Sequence, residues 1–322
     1  MPTVLSLFDI FSANLELYRK ELGGRFMCPL CLRVFSREQI RSDLSKAHII
    51  PQFLGGRDWT LTCRACNNKV GTEIEGCEAE RANCGWALSG EGLETTRAEI
   101  WYRKKRGKAV GPVQTDMKKV RIGGEERLNL HARPQGSNPI AWKLHNDIHS
   151  GRVPAGQWEG EVRFRITRSP KRANLTYVHA AYLLMFHQFG YEWVFTPGAE
   201  VIRRQIMSPD EPIILLLAPA LTNHQIRDDE IALLLVTEPA DFRSFLVVLP
   251  LVRGWPRRQA VWMPLFGRPY KQPPPCKRTL EIAPVPDHHR FLHTPDSKMQ
   301  GLRFVLNHFT YEPLLYAGDN WF

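Results

Sequence analysis

Hydrophobic positions recur along the chain with two different spacings, which predict a mixture of helices and strands. In residues 4–22 the apolar side chains recur at helical spacing and a pair of glycines follows, so we expect an amphipathic helix that ends at the glycines. Residues 174–189 are almost all apolar, which predicts a buried helix that is capped near Asn174 and ends at Gly190.

The C-terminal half also contains short apolar runs that predict strands. These runs, separated by turns rich in proline or arginine, are residues 213–218, 232–237, 245–251 and 260–266. Upstream, residues 161–167 alternate between apolar and charged side chains, as in a strand with one buried face. The spacing of the runs allows a mainly antiparallel sheet, so we expect an α+β fold.

The composition excludes several classes of protein. Hydrophobic residues make up 43% of the 322 residues and aromatic residues 10%, which excludes a wholly disordered or collagen-like chain. No apolar run reaches the roughly 18 residues of a membrane span, and the first residues lack the basic segment of a secretory signal. We therefore expect a cytoplasmic protein with no membrane partner, whose cysteines are reduced thiols or metal ligands rather than disulfides.

The formal net charge of +10 comes almost entirely from residues 101–175. That segment has 17 basic and 6 acidic side chains, whereas residues 1–100 have 12 and 13, and residues 176–322 have 14 and 14. A localised positive surplus predicts a polyanionic partner, most often a nucleic acid. The alternative is a solvated linker rich in Lys and Arg, and composition alone does not separate the two.

Two Cys-x-x-Cys pairs, Cys28 with Cys31 and Cys63 with Cys66, stand close together near the N-terminus. Each such turn brings two thiolates within about 4 Å, the separation that a tetrahedral Zn²⁺ requires. Two pairs together complete a closed four-cysteine site with no open position for water. The predicted zinc is therefore structural rather than catalytic.

The residues between and after the cysteine pairs carry a family resemblance. Ala47–Pro51 reads Ala-His-Ile-Ile-Pro, a Gly55-Gly56 turn follows, and the second pair runs directly into Asn67-Asn68. In this order the motifs resemble the HNH endonucleases, the ββα-metal or His-Me finger group, in the branch with a zinc knuckle. The resemblance covers about 50 residues and implies a zinc-knuckle ββα-metal (HNH) module, followed by a larger α+β domain with a mainly antiparallel sheet.

The resemblance also implies a role for each matching residue. His48 would be the general base that takes a proton from the attacking water, and Asn67 would help to hold a catalytic Mg²⁺ or Mn²⁺ ion. For Asn67 alone, a helix N-cap is the alternative. The implied reaction hydrolyses a DNA phosphodiester and leaves a 5′ phosphate and a 3′ hydroxyl. One such site cuts one strand, so double-strand cleavage needs a homodimer or two encounters.

Two departures from the family pattern bear on catalysis. In the family a metal-binding residue usually precedes the base, but here that position is Ala47. The family pattern also has an Asn in its middle, and the corresponding stretch of this chain reads Asp58-Trp-Thr. Glu73, Glu75 or Asp58 could replace the lost ligand, although neither Glu lies one helical turn from Asn67. The alternative function is a non-catalytic, zinc-stabilised protein that binds DNA or RNA.

The basic segment supplies the candidate nucleic-acid contacts. Aromatic side chains near its start can stack on bases while the cations neutralise phosphates. The candidates are Arg103, Lys104, Lys105, Arg106, Lys118, Lys119, Arg163 and Arg165.

The sequence thus divides into a nuclease domain at 1–100 with its core at 26–76, a basic region at 101–172, and a C-terminal domain at 173–322. Restriction and phage defence both fit this organisation, while an enzyme centred in the C-terminal domain finds no supporting motif.

Overall fold

In the computed structural model, the described residues are 3–54, 56, 59–89, 96–104, 110–122, 125–132, 146, 150, 158–163, 170–214, 220–221, 231–249, 258–271, 278–283 and 308–312. The chain forms two compact units, one made of Met1–Glu78 with Pro170–Phe322 and the other of Ala79–Ser169. No helix among the described residues is long and apolar enough to cross a membrane.

The first unit begins with the helix that the N-terminal pattern predicts. Helix α1 (Val4–Tyr18) starts after Thr3, whose side chain accepts a hydrogen bond from the Ser6 backbone N–H at 3.0 Å. A 3₁₀ turn at Lys20–Leu22 follows, so the prediction for residues 4–22 is confirmed.

Two short hairpins and a broken helix come next. The strands are β1 (Phe26–Met27), β2 (Val34–Phe35), β3 (Leu44–His48) and β4 (Trp59–Cys63). The helices are α2 (Ile40–Asp43), α3 (Arg64–Val70) and α4 (Gly76–Ser89), with 3₁₀ turns at Arg37–Gln39 and Gln52–Leu54 and a wide π turn at Gly71–Glu75. Strands β1 and β2 pair antiparallel, as do β3 and β4, and α3 follows β4 directly. The order β3, β4, α3 is the predicted ββα arrangement.

The apolar run in the second half of the chain forms a buried helix, as predicted. The helices here are α5 (Pro170–Phe189), α6 (Tyr191–Val194) and α7 (Pro197–Met207). Helix α5 begins four residues before Asn174 and ends before Gly190, which has a φ of +60°. A Cβ at Gly190 would lie 2.2 Å from Oδ1 of Asn14, the oxygen that accepts a 2.7 Å hydrogen bond from the Tyr191 N–H. Only glycine fits at this close approach.

The C-terminal strands form a closed antiparallel sheet. They are β9 (Ala220–Leu221), β10 (Ala232–Glu238), β11 (Ser244–Val248), β12 (Arg258–Met263), β13 (Arg278–Ala283) and β14 (His308–Glu312), with a 3₁₀ turn at Ala240–Phe242. Their order around the sheet is β10, β11, β12, β9, β14, β13. The predicted strands at 232–237, 245–251 and 260–266 are confirmed, as is the mainly antiparallel arrangement. Residues 213–214 lie outside a strand, and 215–218 lie outside the described residues.

Buried tyrosines join the N-terminal hairpins to the C-terminal helices. Tyr182 of α5 donates a hydrogen bond to the carbonyl of Pro29 at 2.8 Å. The hydroxyl of Tyr191 accepts a 3.0 Å hydrogen bond from the Met27 N–H and donates to the carbonyl of the same residue. Because all of these groups are buried, the bonds hold strand β1 and the first cysteine pair against α5 and α6.

The compact units therefore follow a different division from the three consecutive regions that the sequence suggested, 1–100, 101–172 and 173–322. Residues up to Glu78 pack with Pro170–Phe322 around one core, and the chain between them forms the second unit. The physical reason is that the N-terminal elements are short and bury their apolar side chains against the long apolar helix α5.

The second unit contains a four-stranded antiparallel sheet. Its strands are β5 (Thr96–Lys104), β6 (Val110–Ile122), β7 (Glu125–Ala132) and β8 (Trp158–Arg163), in the order β7, β6, β5, β8. The strand predicted from the alternation in residues 161–167 is found up to Arg163, and residues 164–167 lie outside the described residues.

Candidate functional site

The two Cys-x-x-Cys pairs meet in one cluster. Cys28 follows β1, Cys63 ends β4, and Cys66 lies in the first turn of α3. The sulfurs of Cys28, Cys31, Cys63 and Cys66 all lie within 4.8 Å of one another, and those of Cys31 and Cys63 are 3.7 Å apart. Four sulfurs at the usual Zn–S distance of about 2.3 Å are separated by about 3.8 Å in a tetrahedron. The cluster fits a zinc ion, as the sequence predicted.

Neighbouring donors favour thiolates in this cluster. The backbone N–H of Cys63 donates to Sγ of Cys28, and that of Cys66 donates to Sγ of Cys63, both at 3.4 Å. The Arg33 guanidinium lies 3.8 Å from Sγ of Cys63 and partly offsets the negative charge of four thiolates. A hydrogen bond from Cys28 lowers the pKa of Cys63 to about 6, whereas burial raises the pKa of Cys28.

The hairpin β3–β4 and helix α3 position the predicted base and metal ligand. His48 ends β3, where its backbone pairs with Trp59 of β4. Asn67 lies on α3, and its side-chain Nδ2 donates a 3.4 Å hydrogen bond to the carbonyl of Lys46 on β3. The amide therefore ties the helix to the strand two residues before His48, and this bond is a structural role that the sequence did not predict.

The electrostatic surroundings keep His48 neutral near pH 7. The side chain is half-buried, and burial lowers its pKa from the usual value; Lys46 acts in the same direction, and the Glu75 carboxylate opposes both. A neutral imidazole can accept a proton, which is the property that a general base requires.

Position 47 cannot contribute to metal binding. Ala47 is 2% exposed, pairs with Thr60 across the hairpin and offers only a buried methyl group. Asp58 and Gly55 lie outside the described residues. At Gly56 a Cβ would lie 1.8 Å from the carbonyl oxygen of Ile50, so this turn accepts only glycine.

The wide turn Gly71–Glu75 alters which residues share a helical face. A π turn holds one residue more than an α turn, so the step of eight positions from Asn67 to Glu75 covers the two turns that a step of seven positions covers in a regular helix. Glu75 consequently lies near the face that carries Asn67, which regular helical spacing did not predict. Its Oε1 is 3.2 Å from Nδ1 of His179 on α5. Gly71, which begins the turn, and Gly76, which follows it, are the only hint in the sequence.

Five of the eight candidate nucleic-acid contacts are among the described residues, and all five lie on one sheet. Arg103 and Lys104 end β5, Lys118 and Lys119 lie in β6, and Arg163 ends β8. Strand β5 lies between the other two, so these five positions belong to three adjacent strands. Lys105, Arg106 and Arg165 lie outside the described residues. Contact of these residues with nucleic acid stays a prediction.

A comparison with protein families agrees with the geometry. Residues 28–77 match a family model described as HNH endonuclease, which is about one sixth of the chain. The matched segment contains the four cysteines, His48, Asn67 and the whole wide turn. No curated protein and no solved structure matches the chain. The family resemblance of this segment is confirmed, and it indicates a nuclease that acts on nucleic acid.

Proposed function

We propose that this protein is a metal-dependent endonuclease that hydrolyses DNA phosphodiester bonds, with His48 as the general base. The observation that carries the proposal is the placement of a half-buried, neutral histidine at the end of β3, within a ββα element whose β4–α3 junction carries two cysteines of the four-cysteine cluster. The ββα element is short, and a zinc ion in the cluster would fix its strand ends to α3.

Two residues of the ββα element, His48 and Asn67, have specific parts in the proposed reaction. His48 would remove a proton from the attacking water, and the hydrogen bond from Asn67 to the Lys46 carbonyl would keep strand β3 in place against α3. The carbonyl oxygen of Asn67 would face a Mg²⁺ or Mn²⁺ ion, as the family resemblance implies. When bound, that ion supplies the charge that stabilises the phosphate and the leaving 3′ oxygen.

The rest of the proposal concerns the substrate and the setting. Basic positions of the sheet β7–β6–β5–β8 would neutralise phosphates of DNA, or of RNA as the alternative substrate. We further propose a homodimer for cleavage of both strands, a cytoplasmic location that suits zinc-bound thiolates, and a role in restriction or phage defence.

A nicking assay tests the proposed base. Purified protein is incubated with supercoiled plasmid and Mg²⁺ or Mn²⁺, beside the variants His48→Ala, Asn67→Ala and Asn68→Ala. We expect His48→Ala to lose about a hundredfold or more of the rate, since a positioned general base contributes that much. Asn68→Ala is the matched control, because Asn68 is exposed on the same helix, and it should nick at the wild-type rate.

The buried methyl of Ala47 favours the second candidate function, a zinc-stabilised protein that binds nucleic acid without cutting it. That function predicts binding of DNA or RNA in a gel-shift assay, with no nicking by wild-type protein in either metal. Equal nicking by wild type and His48→Ala would instead remove His48 from the mechanism.

A further inference from the structure

One face of the hairpin β3–β4 carries small side chains, three of which end in hydroxyl groups. Antiparallel pairing places Ser45 opposite Thr62 and Ala47 opposite Thr60. Because side chains alternate between the two faces of a strand, these four residues share the face opposite to the one that carries His48. The proposed reaction uses no group on this face.

The hydroxyl oxygens on this face are buried. Thr60 and Thr62 are each 0% exposed, and Oγ of Ser45 is buried although the residue as a whole is half-buried. Across the part of the chain that the structure describes, no group forms a hydrogen bond with any of these three oxygens. A buried hydroxyl without a partner destabilises a folded protein, so three of them on one face indicate that a ligand satisfies them.

The register of the hairpin brings these hydroxyls within reach of one small ligand. Directly opposite residues in an antiparallel pair have Cβ atoms about 4.5–5.5 Å apart, and two hydroxyls that each bond one water at about 2.8 Å can be up to about 5.6 Å apart. Ser45 and Thr62 are such a pair, and Thr60 is the next residue along β4 on the same face. Ala47, opposite Thr60, has only a methyl group and takes up little of the space beside the hydroxyls.

The chemistry of the face favours water over an ion. All three groups are neutral hydroxyls, and none of the four side chains on this face is an acid or a base. A buried cation would lose its hydration without a compensating charge, whereas a water molecule both donates and accepts hydrogen bonds. We propose that an ordered water molecule binds between β3 and β4 and bridges the hydroxyls of Ser45, Thr60 and Thr62. Three hydrogen bonds are typical of a buried water in a protein.

The proposed water is a side-chain bridge between the two strands, on the face behind His48. The hydrogen bond from Asn67 to the Lys46 carbonyl holds β3 against α3, and the water would hold β3 against β4 in addition to the backbone pairing. The inference concerns the hairpin itself and does not depend on whether the protein cuts nucleic acid.

Substitution of threonine by valine tests the bridge, because valine keeps nearly the same shape but has no hydroxyl. In the zinc-loaded full chain we expect Thr60→Val and Thr62→Val each to lower the melting temperature by about 2–4 °C, the shift typical of one lost hydrogen bond in a unit of this size. The double variant should lose less than the sum, since either substitution already weakens the shared water. Thr72→Val, at an exposed position of the wide turn, is the matched control and should change the melting temperature little.

Hydroxyls that have no ligand predict the opposite result. Thr60→Val and Thr62→Val would then be as stable as wild type or more stable, because each removes a buried polar group that has no partner. That result would overturn the proposal, and strictly additive losses would overturn the sharing of one water by the two threonines.

A high-resolution crystal structure of the full chain gives the direct test. We expect a solvent peak within about 2.6–3.2 Å of at least two of the three hydroxyl oxygens, and no such peak in the double valine variant. The proposal fails if wild type lacks the peak, or if Rb⁺ replaces it in crystals grown with rubidium chloride, which would identify a monovalent cation.

Discussion

His187 makes the stability of the first unit depend on pH in a way that can be calculated. The side chain lies on α5, is buried, and burial lowers its pKa from 6.5 to about 4. In the unfolded chain the imidazole returns to a pKa of about 6.5. Between these two values the unfolded state holds a proton that the folded state does not, so the folded state loses stability as the pH falls from 6.5 towards 4.

The magnitude follows from the pKa difference. One pKa unit corresponds to about 1.4 kcal/mol, so the full shift is worth about 3 kcal/mol below pH 4, and about 2 kcal/mol of it is already lost at pH 5. At pH 7 the contribution is close to zero, because both states are then neutral. His187→Gln removes the titrating group and with it this part of the pH dependence.

Urea unfolding at pH 7 and pH 5, followed by helical circular dichroism, measures the effect. The quantity of interest is the change in the free energy of unfolding between the two pH values, which should be about 2 kcal/mol smaller for His187→Gln than for wild type. Protonation of the zinc ligands also destabilises the protein in acid, but it is common to both chains and cancels in this difference. An equal pH dependence in both chains would refute the assignment of a buried, neutral His187.

Two further predictions concern the zinc cluster and the basic sheet. Cys63→Ser should lose about one zinc ion per chain, and the ββα element should melt. Cys77→Ser should retain the zinc, because Cys77 lies outside the cluster and its thiol donates to the Glu73 carbonyl. Metal analysis distinguishes the two variants, and full zinc in Cys63→Ser would contradict a four-cysteine site. Charge reversal at Arg103, Lys104 and Lys105 should weaken DNA binding and reduce the slope of log affinity against log salt by about 3; unchanged binding would show that these residues are a solvated surface.

Local patterns in the sequence were sufficient for several of the helices and strands and for the zinc cluster. The apolar run in residues 174–189 predicts α5 because almost every side chain there must be buried, and the structure differs only in an earlier start at Pro170. The cysteine spacing predicts the cluster because a Cys-x-x-Cys turn fixes its own geometry. Both features depend on residues that are near one another in the chain.

The features that the sequence did not predict depend on distant residues or on an irregular turn. The contact between Glu75 and His179 joins positions that are about a hundred residues apart, and no local pattern encodes it. The wide turn adds one residue to a helix, and regular helical spacing therefore places Glu75 on the wrong face relative to Asn67. The missing ligand at Ala47 was visible in the sequence, whereas the hydrogen bond from Asn67 to the Lys46 carbonyl was not.

The site is built by both segments of the first unit. Phe11 of α1 stacks on Phe186 of α5 with ring centroids 4.3 Å apart, which buries the N-terminal helix against the C-terminal one. Thr176 of α5 donates a 3.3 Å hydrogen bond to the carbonyl of Ile74 within the wide turn. Helix α5 also carries His179, which contacts the Glu75 carboxylate. The same helix therefore holds both the backbone of the wide turn and the side chain of Glu75. The position of the Glu75 carboxylate, which influences the pKa of His48, therefore depends on residues that lie outside the segment with the family resemblance.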